Sequence, residues 1–445
     1  AHMVDYTQYD RLFRLEAEII CEDCRWGYLD TAGRVVVEPH YSFARNFINE
    51  VGIVKCNGKW GMVDARGKEL IPCRYDGVQF LENTDNRIIR VYIREPKYGL
   101  IDTLGRIAVN AVYEEVGSFS EGRLAVRRNG LWGFVDRNGL EVIPCRFREV
   151  QNFSEGLAAV KLGNFWGFID KQGDVEIDFT YLRAGNFNSG LAWVYTNDGA
   201  GYIDRAESFV IPPAFDRAYD FHRQVARVMI DNKYGLIDTR GRWVLRPRFT
   251  DIGPFNQHDL AIVTYGGGSV RYGLINLEGA MVTNTPYREI RAFSEGLAAV
   301  KDKDSYGFVD TTGRLVIPCR YSKVSRFSEG RAAVQKDGAC GYITRSGTAV
   351  VDFAFTKCLD FDGGKAVVYK GIRRAGLVNA AGEMILEPSV DRLLTFREGR
   401  GLVRDDDYRF YYITEQSELY DGYYQEATAF RHGVGGIYGK VDNHL

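Results

Sequence analysis

The sequence repeats itself about every 34 residues over nearly its whole length. A fixed period of this length is typical of repeat proteins, in which each unit buries its apolar face only against its neighbours. The chain is therefore better described as one array than as several independent domains. The period is marked by a glycine position, usually preceded by Trp or Tyr: Gly27, Gly61, Gly99, Gly133, Gly167, Gly201, Gly235, Gly273, Gly307, Gly341 and Gly376.

Two further series of large side chains keep the same period. Because all three series stay in phase, we expect equivalent side chains to form continuous ladders inside a stack of units. One series is Phe13, Phe47, Leu81, Phe119, Phe153, Phe187, Phe221, Phe255, Phe293, Phe327, Phe361, Phe396 and Phe430. The other is Tyr41, Tyr75, Tyr113, Phe147, Tyr181, Phe215, Phe249, Tyr287, Tyr321, Phe355, Val390 and Tyr424.

A single unit, taken from residues 132–165, predicts three short antiparallel strands. Bursts of about five apolar residues, bounded by Gly, Asn, Asp and Ser, are typical of strands joined by tight turns. The predicted strands are 132–136, 140–147 and 157–161. The Asp–x–x–Gly step that follows the first strand in most units is turn chemistry, since Asp bonds nearby backbone N–H groups and Gly accepts a positive φ.

The repeated unit contains, in order, Trp-Gly-Phe-(Ile/Val)-Asp, Gly, Val-Ile-Pro, Tyr and Phe-Ser-Glu-Gly-Leu-Ala-Ala-Val. This pattern resembles the bacterial WG-repeat (KWG) family. The resemblance extends from about residue 13 to the C-terminus, although Ala200, Cys340 and Ala375 replace the aromatic residue. It implies an all-β repeat domain that usually has no assigned activity, and it implies no catalytic residue. The best-matching segments are 59–75, 131–160, 166–173 and 306–334.

We expect the array to form an open, curved β-solenoid or superhelix. About thirteen three-stranded units appear too many and too short for one propeller, whose blades need four strands and typically about 40 residues. Propeller-like rings, two lying side by side, are the alternative. The expected divisions are residues 1–12, a tag remnant and N-terminal edge, residues 13–430, the tandem repeats, and residues 431–445, a C-terminal closing strand or cap.

Charge and hydropathy exclude two classes of partner. Lys and Arg total 57 against 59 Asp and Glu, so no basic excess is available for nucleic acid. No run of 18 apolar residues is present, which predicts no membrane insertion. Cys73, Cys145 and Cys319 share one repeat position, which indicates packing rather than disulfides. Free thiols favour a reducing compartment, so we expect a cytoplasmic protein, with a removed secretion signal or a trimmed domain left open.

Catalytic constellations are poor in this sequence. The six His occupy different repeat positions, and the recurrent Asp is explained by turn geometry alone. We therefore expect no catalytic residue, no cofactor and no metal site, and a protein that is not an enzyme. A hydrolase hidden in the array is the least favoured hypothesis.

The favoured function is a non-catalytic scaffold that presents an extended repeat surface to a protein or peptide partner. A carbohydrate or cell-envelope binder, which would stack a glycan on the repeated Trp and Tyr, is the alternative, although core packing of those rings is the stronger expectation. Candidate partner-binding residues lie in two inserted loops and in the aromatic position: Asn83, Asp85, Arg87, Arg94, Tyr265, Arg271, Trp26 and Trp60.

Overall fold

The described residues form 46 β-strands and no helix in a computed structural model. The structure describes residues 26–30, 34–45, 47, 51–80, 88–92, 97–102, 106–266, 269–397, 399–405, 407–414, 419–427 and 434–441. No helix long and apolar enough to cross a membrane occurs within these ranges. The all-β repeat predicted from the sequence is confirmed.

The strands follow one another in chain order with short connections. The first group is β1 (Trp26–Asp30), β2 (Val35–Tyr41), β3 (Phe43–Ala44), β4 (Val51–Cys56), β5 (Lys59–Asp64), β6 (Glu69–Tyr75), β7 (Gly77–Phe80), β8 (Ile88–Tyr92), β9 (Tyr98–Asp102), β10 (Ile107–Tyr113), β11 (Glu115–Ser120), β12 (Arg123–Arg128), β13 (Leu131–Val135) and β14 (Glu141–Phe147). The second group is β15 (Glu149–Val150), β16 (Leu157–Leu162), β17 (Phe165–Asp170), β18 (Val175–Tyr181), β19 (Arg183–Ala184), β20 (Ala192–Thr196), β21 (Gly199–Ile203), β22 (Phe209–Phe215), β23 (Arg217–Ala218), β24 (Val225–Ile230), β25 (Lys233–Asp238), β26 (Trp243–Phe249), β27 (Asp251–Ile252), β28 (Ala261–Tyr265) and β29 (Arg271–Ile275). The third group is β30 (Glu289–Ile290), β31 (Leu297–Asp302), β32 (Ser305–Asp310), β33 (Leu315–Tyr321), β34 (Lys323–Val324), β35 (Arg331–Lys336), β36 (Ala339–Thr344), β37 (Ala349–Phe355), β38 (Lys357–Cys358), β39 (Lys365–Lys370), β40 (Arg374–Asn379), β41 (Met384–Asp391), β42 (Leu393–Arg397), β43 (Arg400–Arg404), β44 (Phe410–Ile413), β45 (Leu419–Ala427) and β46 (Val434–Val441).

Each typical sheet has four antiparallel strands in sequence order, as in β15-β16-β17-β18. The three strands predicted for the unit 132–165 are present, but they belong to two sheets: β13 and β14 end one sheet, and β16 lies in the next. A strand of only two residues precedes β16 at the edge of that next sheet. In this sheet the added short strand is β15, in which Glu149 pairs with Lys161 and Val150 with Val160. A two-residue strand has no room for an alternating apolar pattern, so it could not be predicted from the repeat.

The repeated glycine lets the second and third long strands approach closely. At Gly133 a Cβ atom would lie 2.4 Å from the carbonyl oxygen of Ile143 on the adjacent strand. The pairing register shifts at this point, between Trp132 and Phe134. Pro144 follows within β14, which is the edge strand of its sheet, where a missing N–H costs no ladder hydrogen bond.

The Asp–x–x–Gly turns form as the sequence predicts. Asp170 Oδ1 accepts hydrogen bonds of 2.9 Å from the backbone N–H groups of Gln172 and Asp174. Gly173 closes the turn with φ +92°. The recurrent acid is therefore engaged by its own turn.

Successive sheets pack face to face, and their cores lie between them. The Phe of one unit contacts the second long strand of the preceding sheet in an edge-on pair, as in Phe168–Phe187, with ring centres 5.0 Å apart. The same pair recurs as Phe134–Phe153 and Phe308–Phe327, both at 4.9 Å. Equivalent residues thus occupy equivalent environments, as the in-phase series predicts.

The chain closes on itself as an 11-bladed β-propeller. Strand β46 pairs antiparallel with β1 from Asp30↔Val434 to Trp26↔Tyr438. This pairing joins both ends of the chain in one seven-stranded sheet, β2-β1-β46-β45-β44-β43-β42. The open solenoid that we preferred is not confirmed. The alternative, a propeller-like arrangement, forms instead, and the chain makes one ring rather than two. Our objection to a single propeller assumed four long strands per blade, whereas a two-residue strand completes a blade of about 34 residues.

The expectation for Cys73 is wrong. Cys73 forms a disulfide with Cys56, with Cα atoms 5.8 Å apart, inside the β3–β6 sheet. Cys145 and Cys319, at the same repeat position, are free and half-buried. Only the unit of Cys73 has a second cysteine 17 residues earlier, so the shared position alone did not reveal the bond.

A second disulfide joins two neighbouring blades. Cys340 lies in β36 and Cys358 in β38 of the next sheet, and their Cα atoms are 6.1 Å apart. The argument from free thiols to a reducing compartment consequently applies only to Cys145 and Cys319 among the described cysteines.

Candidate functional site

Half of the residues predicted to bind a partner lie outside the described residues. These are the four residues of the first inserted loop, Asn83, Asp85, Arg87 and Arg94. The other four, Trp26, Trp60, Tyr265 and Arg271, have defined positions.

Trp26 and Trp60 are packing residues in adjacent sheets. Trp26 is only 4% exposed. Both rings contact Phe43, at 5.7 Å between ring centres. The half-buried Trp60 ring is also covered by two cations, the Arg45 guanidinium at 4.6 Å and the Lys55 ammonium at 5.3 Å from its centre. Neither indole therefore presents a bare face for stacking.

Tyr265 and Arg271 face each other across the β28–β29 pair. The Tyr265 ring is half-buried and lies 5.9 Å from Phe249. Burial raises the pKa of Tyr265, and the nearby Arg271 charge opposes that rise. The four described candidates thus form two pairs, Trp26 with Trp60 and Tyr265 with Arg271, and the two pairs lie in different sheets.

A different set of residues forms a pocket of about 350 Å³ at the short-strand edge of consecutive sheets. Most of the lining comes from the three sheets β19–β22, β23–β26 and β27–β29. We call it the Arg227 pocket, and it is lined by Gln151, Gly185, Asn186, Trp193, Tyr219, Asp220, Phe221, His222, Val225, Arg227, Pro254 and Phe255.

Two of these residues replace an alanine of the repeat. The first long strand of a typical unit carries a small residue at one position, as at Ala159, Ala299 and Ala333. Trp193 in β20 and Arg227 in β24 occupy this position in two consecutive sheets. Substitution of an alanine by a large polar or aromatic side chain adds chemistry that the fold itself does not require.

In the same units the Phe-Ser-Glu-Gly segment is lost. In typical units this segment connects neighbouring repeats: Ser154 Oγ donates to Phe187 O at 2.7 Å, and Glu155 Oε2 accepts from Gly190 N–H at 3.0 Å. The equivalent residues after Phe221 are His222 and Arg223, which make different contacts.

The substituted segment rebuilds the connection with charged groups. His222 Nε2 and Arg223 Nη1 each lie 2.9 Å from an oxygen of the Asp259 carboxylate. The His222 ring also stacks on Phe255 at 5.6 Å between ring centres. Asp259 is therefore fully engaged at the rim of the pocket.

Asp220 is the carboxylate inside the pocket, and protein donors occupy it. Asn186 donates to it from the backbone N–H at 3.0 Å and from Nδ2 at 3.2 Å, and the Trp193 indole donates as well. Burial raises the pKa of Asp220, and these bonds oppose the rise. At Gly185 a Cβ would lie 2.0 Å from the indole nitrogen, so glycine makes room for this arrangement.

Arg227 is the unmatched charge of the pocket. Its guanidinium lies 4.3 Å from the centre of the Tyr219 ring, and Nη1 donates to Ile252 O at 2.6 Å. It forms no ion pair with a carboxylate in the part of the chain that the structure describes. Burial lowers the pKa of Arg227, while nearby Tyr219 and Asp251 oppose that change.

Tyr219 is held so that its ring supports Arg227. Its backbone carbonyl accepts a hydrogen bond of 2.8 Å from the buried Tyr202, and its hydroxyl lies 3.2 Å from that of Tyr234. The pocket therefore combines a positioned guanidinium with aromatic walls, an arrangement suited to binding a small polar group beside an apolar one.

A second cavity of about 340 Å³ lies at the corresponding edge four units later. It keeps the Phe327-Ser328-Glu329 motif, and the Glu329 carboxylate accepts from the Gly363 and Gly364 N–H groups, as in typical repeats. Its lining departs from the repeat as well, because Val367 occupies the alanine position, but that residue is apolar.

Sequence reasoning missed the Arg227 pocket, although a signal was present. Three consecutive units, after Phe187, Phe221 and Phe255, lack Ser-Glu-Gly. All three also lose the alanine, which is replaced by Trp193, Arg227 and Ile262. A comparison of units position by position would have found this cluster. Among the described residues, no group of three or more His, Cys, Asp or Glu is placed to hold a metal ion.

The fold and this edge pocket define the class of the molecule: a closed propeller of short repeats with a divergent sector at the Arg227 pocket. The family model for the WG-containing repeat matches the chain eleven times, and the chain belongs to the WG-repeat family. The matched residues are 26–60, 60–89, 98–132, 132–164, 166–199, 201–234, 234–268, 272–305, 306–339, 341–371 and 376–408. No curated protein sequence matches the chain.

Solved structures similar to the chain are distant. The extracellular domain of a hybrid two-component system from B. thetaiotaomicron matches at 8% identity and a TM-score of 0.26, over 86% of this chain and 63% of that one. The chain thus spans less than two thirds of that structure. A eukaryotic initiation factor matches at 10% identity and a TM-score of 0.32, over 73% of this chain and 100% of that one. The computationally designed Ika8 protein matches at 12% identity and a TM-score of 0.27, over 69% of this chain and 98% of that one.

Proposed function

We propose that the protein is a non-catalytic binding scaffold for a protein or peptide partner, and that the partner is bound at the Arg227 pocket. The observation that carries the proposal is the convergence of consensus-breaking residues from consecutive units on one pocket. In a repeat protein the packing positions are constrained by both neighbours, so specificity is built from the positions that vary.

The aromatic series gives the carbohydrate alternative little support. Four of its eight aromatic members are buried, and the other four are half-buried. The half-buried Trp60 is covered by cations. A row of exposed rings, which glycan stacking would need, is absent from the described part of this series.

Two matched tryptophan variants test the proposal. Trp193 and Trp243 are both half-buried and pack against the same apolar cluster, but only Trp193 lines the pocket. The full chain is used as bait for cell extract, in parallel with a glycan array. We expect a protein from the extract to be retained by the wild type and by Trp243→Ala, and not to be retained by Trp193→Ala.

Equal retention by both variants would remove the pocket from the proposal. Retention of glycans in place of protein, with the same dependence on Trp193, would favour the carbohydrate alternative. Circular dichroism of both variants establishes that the comparison is between folded proteins.

A further inference from the structure

We infer that the Arg227 pocket binds a carboxylate group of its peptide partner, carried either by the C-terminus or by an Asp or Glu side chain. This inference rests on the proposed function and adds the chemical class that the site recognises.

The carboxylates of Asp220 and Asp259 accept their hydrogen bonds from other groups of the protein. Asp220 accepts from both N–H groups of Asn186 and from the Trp193 indole. Asp259 is paired with His222 and Arg223. Neither acid is within ion-pair distance of Arg227. Asp220 and Asp251 act on its charge only from a longer distance, so its N–H donors stay available to a ligand.

Arg227 is held in place without a direct ion pair. One N–H group bonds a backbone carbonyl and one face lies over Tyr219, so the side chain is ordered before any ligand arrives. A guanidinium has five N–H donors in a planar fork, and a carboxylate accepts two of them side by side. Because the group is partly desolvated, an incoming carboxylate gains more from the contact than it would at an exposed arginine.

Arg291 makes the same two contacts as Arg227, one with an aromatic ring and one with a backbone carbonyl, and serves as a comparison. Arg291 lies 4.6 Å from the centre of the Tyr306 ring and donates to Val324 O at 3.0 Å. Unlike Arg227, it has its own carboxylate, Glu289, at 2.6 Å. The ring and carbonyl contacts alone do not distinguish Arg227, and Arg45 has both of them without an ion pair to an acid among the described residues. Arg227 differs from Arg45 and Arg291 because it lines the pocket.

The size of the pocket fits a single residue of a peptide. A volume of about 350 Å³ is at the small end of ligand sites. The walls formed by Trp193 and Phe255 would contact the apolar part of that residue while Arg227 takes its carboxylate.

Three decapeptide libraries of mixed sequence test the inference on the unaltered full chain. The first has free C-termini and no Asp or Glu, the second has amidated C-termini with Asp and Glu, and the third has amidated C-termini without acids. Binding is measured by fluorescence anisotropy. Binders in the first library alone identify a C-terminal carboxylate, and binders in the second identify a side chain.

Equal binding of the third library, or no binder in any library, overturns the inference. If the third library binds and partner retention still depends on Trp193, the scaffold proposal survives and the carboxylate assignment fails. If the third library binds and partner retention does not depend on Trp193, both the scaffold proposal and the carboxylate assignment are wrong.

Matched arginine variants supply the second readout. Arg227→Gln should weaken binding of a selected peptide about 10- to 100-fold. Arg291→Gln, which loses the same ring and carbonyl contacts elsewhere, should leave it unchanged. Arg227→Lys should bind with intermediate affinity, because a point charge replaces the fork. Equal affinities of the two Gln variants would contradict the inference.

Discussion

Replacement of Phe187 by alanine should loosen the contact between two neighbouring blades. Phe187 is fully buried, and its ring lies 5.0 Å from that of Phe168 in the preceding sheet, at an interplanar angle of 67°. The two sheets share no ladder of hydrogen bonds, so side-chain packing holds them together. Truncation of a buried Phe costs about 3–5 kcal/mol, of which the edge-on aromatic pair contributes about 0.5–1.5 kcal/mol.

Equilibrium urea unfolding, followed by tryptophan fluorescence, measures this loss. Phe165→Ala is the matched control, because Phe165 lies in the same blade region but is 43% exposed. It should change the free energy of unfolding by about 0.5 kcal/mol or less. Hydrogen exchange should then be fastest at the strands beside the new cavity. Equal destabilisation by the two variants would refute the view that inter-sheet aromatic pairs hold the blades together.

Three further changes test other parts of the ring. Loss of the bond between Cys340 and Cys358 by Cys340→Ser should lower the free energy of unfolding by about 3 kcal/mol, and a reducing agent should abolish the difference from wild type in urea unfolding. Gly133→Ala should cost about 1–3 kcal/mol because its Cβ would overlap a carbonyl of the adjacent strand; an unchanged urea midpoint would contradict this. The Lys171 ammonium, 2.9 Å from Glu121, lowers the pKa of that carboxyl. Its stabilising contribution is complete above the unfolded pKa of about 4.3 and is lost as pH falls through the lower folded pKa. The difference between wild type and Glu121→Gln should therefore vanish in acid, and a constant difference in a pH series would exclude this role.

The periodic part of the fold was predictable from the sequence because it depends on local chemistry. Asp170 and Gly173 form the expected turn, and Phe168 and Phe187 lie in equivalent positions between sheets. Closure of the ring was harder to predict, since it depends on the small rotation between blades, which no single unit encodes. The pairing of β46 with β1 fixes that outcome.

The candidate site was not predictable from the features that we first considered. Long loops and repeated aromatics drew attention to Tyr265 and Trp60, whose rings the fold uses for packing. Arg227 and Trp193 are single substitutions inside regular strands, and their meeting depends on stacking of the sheets that carry them. Position-by-position divergence between units would have indicated them, since packing alone favours alanine there.

The position of the pocket across several blades also links binding to the integrity of the ring. Asn186, Asp220 and Arg227 reach the cavity from adjacent sheets, and Arg227 already bridges to Ile252 of the following one. An occupant that contacts all of them binds only the assembled blades, because separation of any two sheets dismantles the site. Such a ligand at 100 times its dissociation constant stabilises the assembled state by about 2.7 kcal/mol. That gain is comparable to the loss expected for a single inter-blade truncation, so occupancy of the pocket should restore much of the stability of a variant weakened at a neighbouring blade contact such as Phe187.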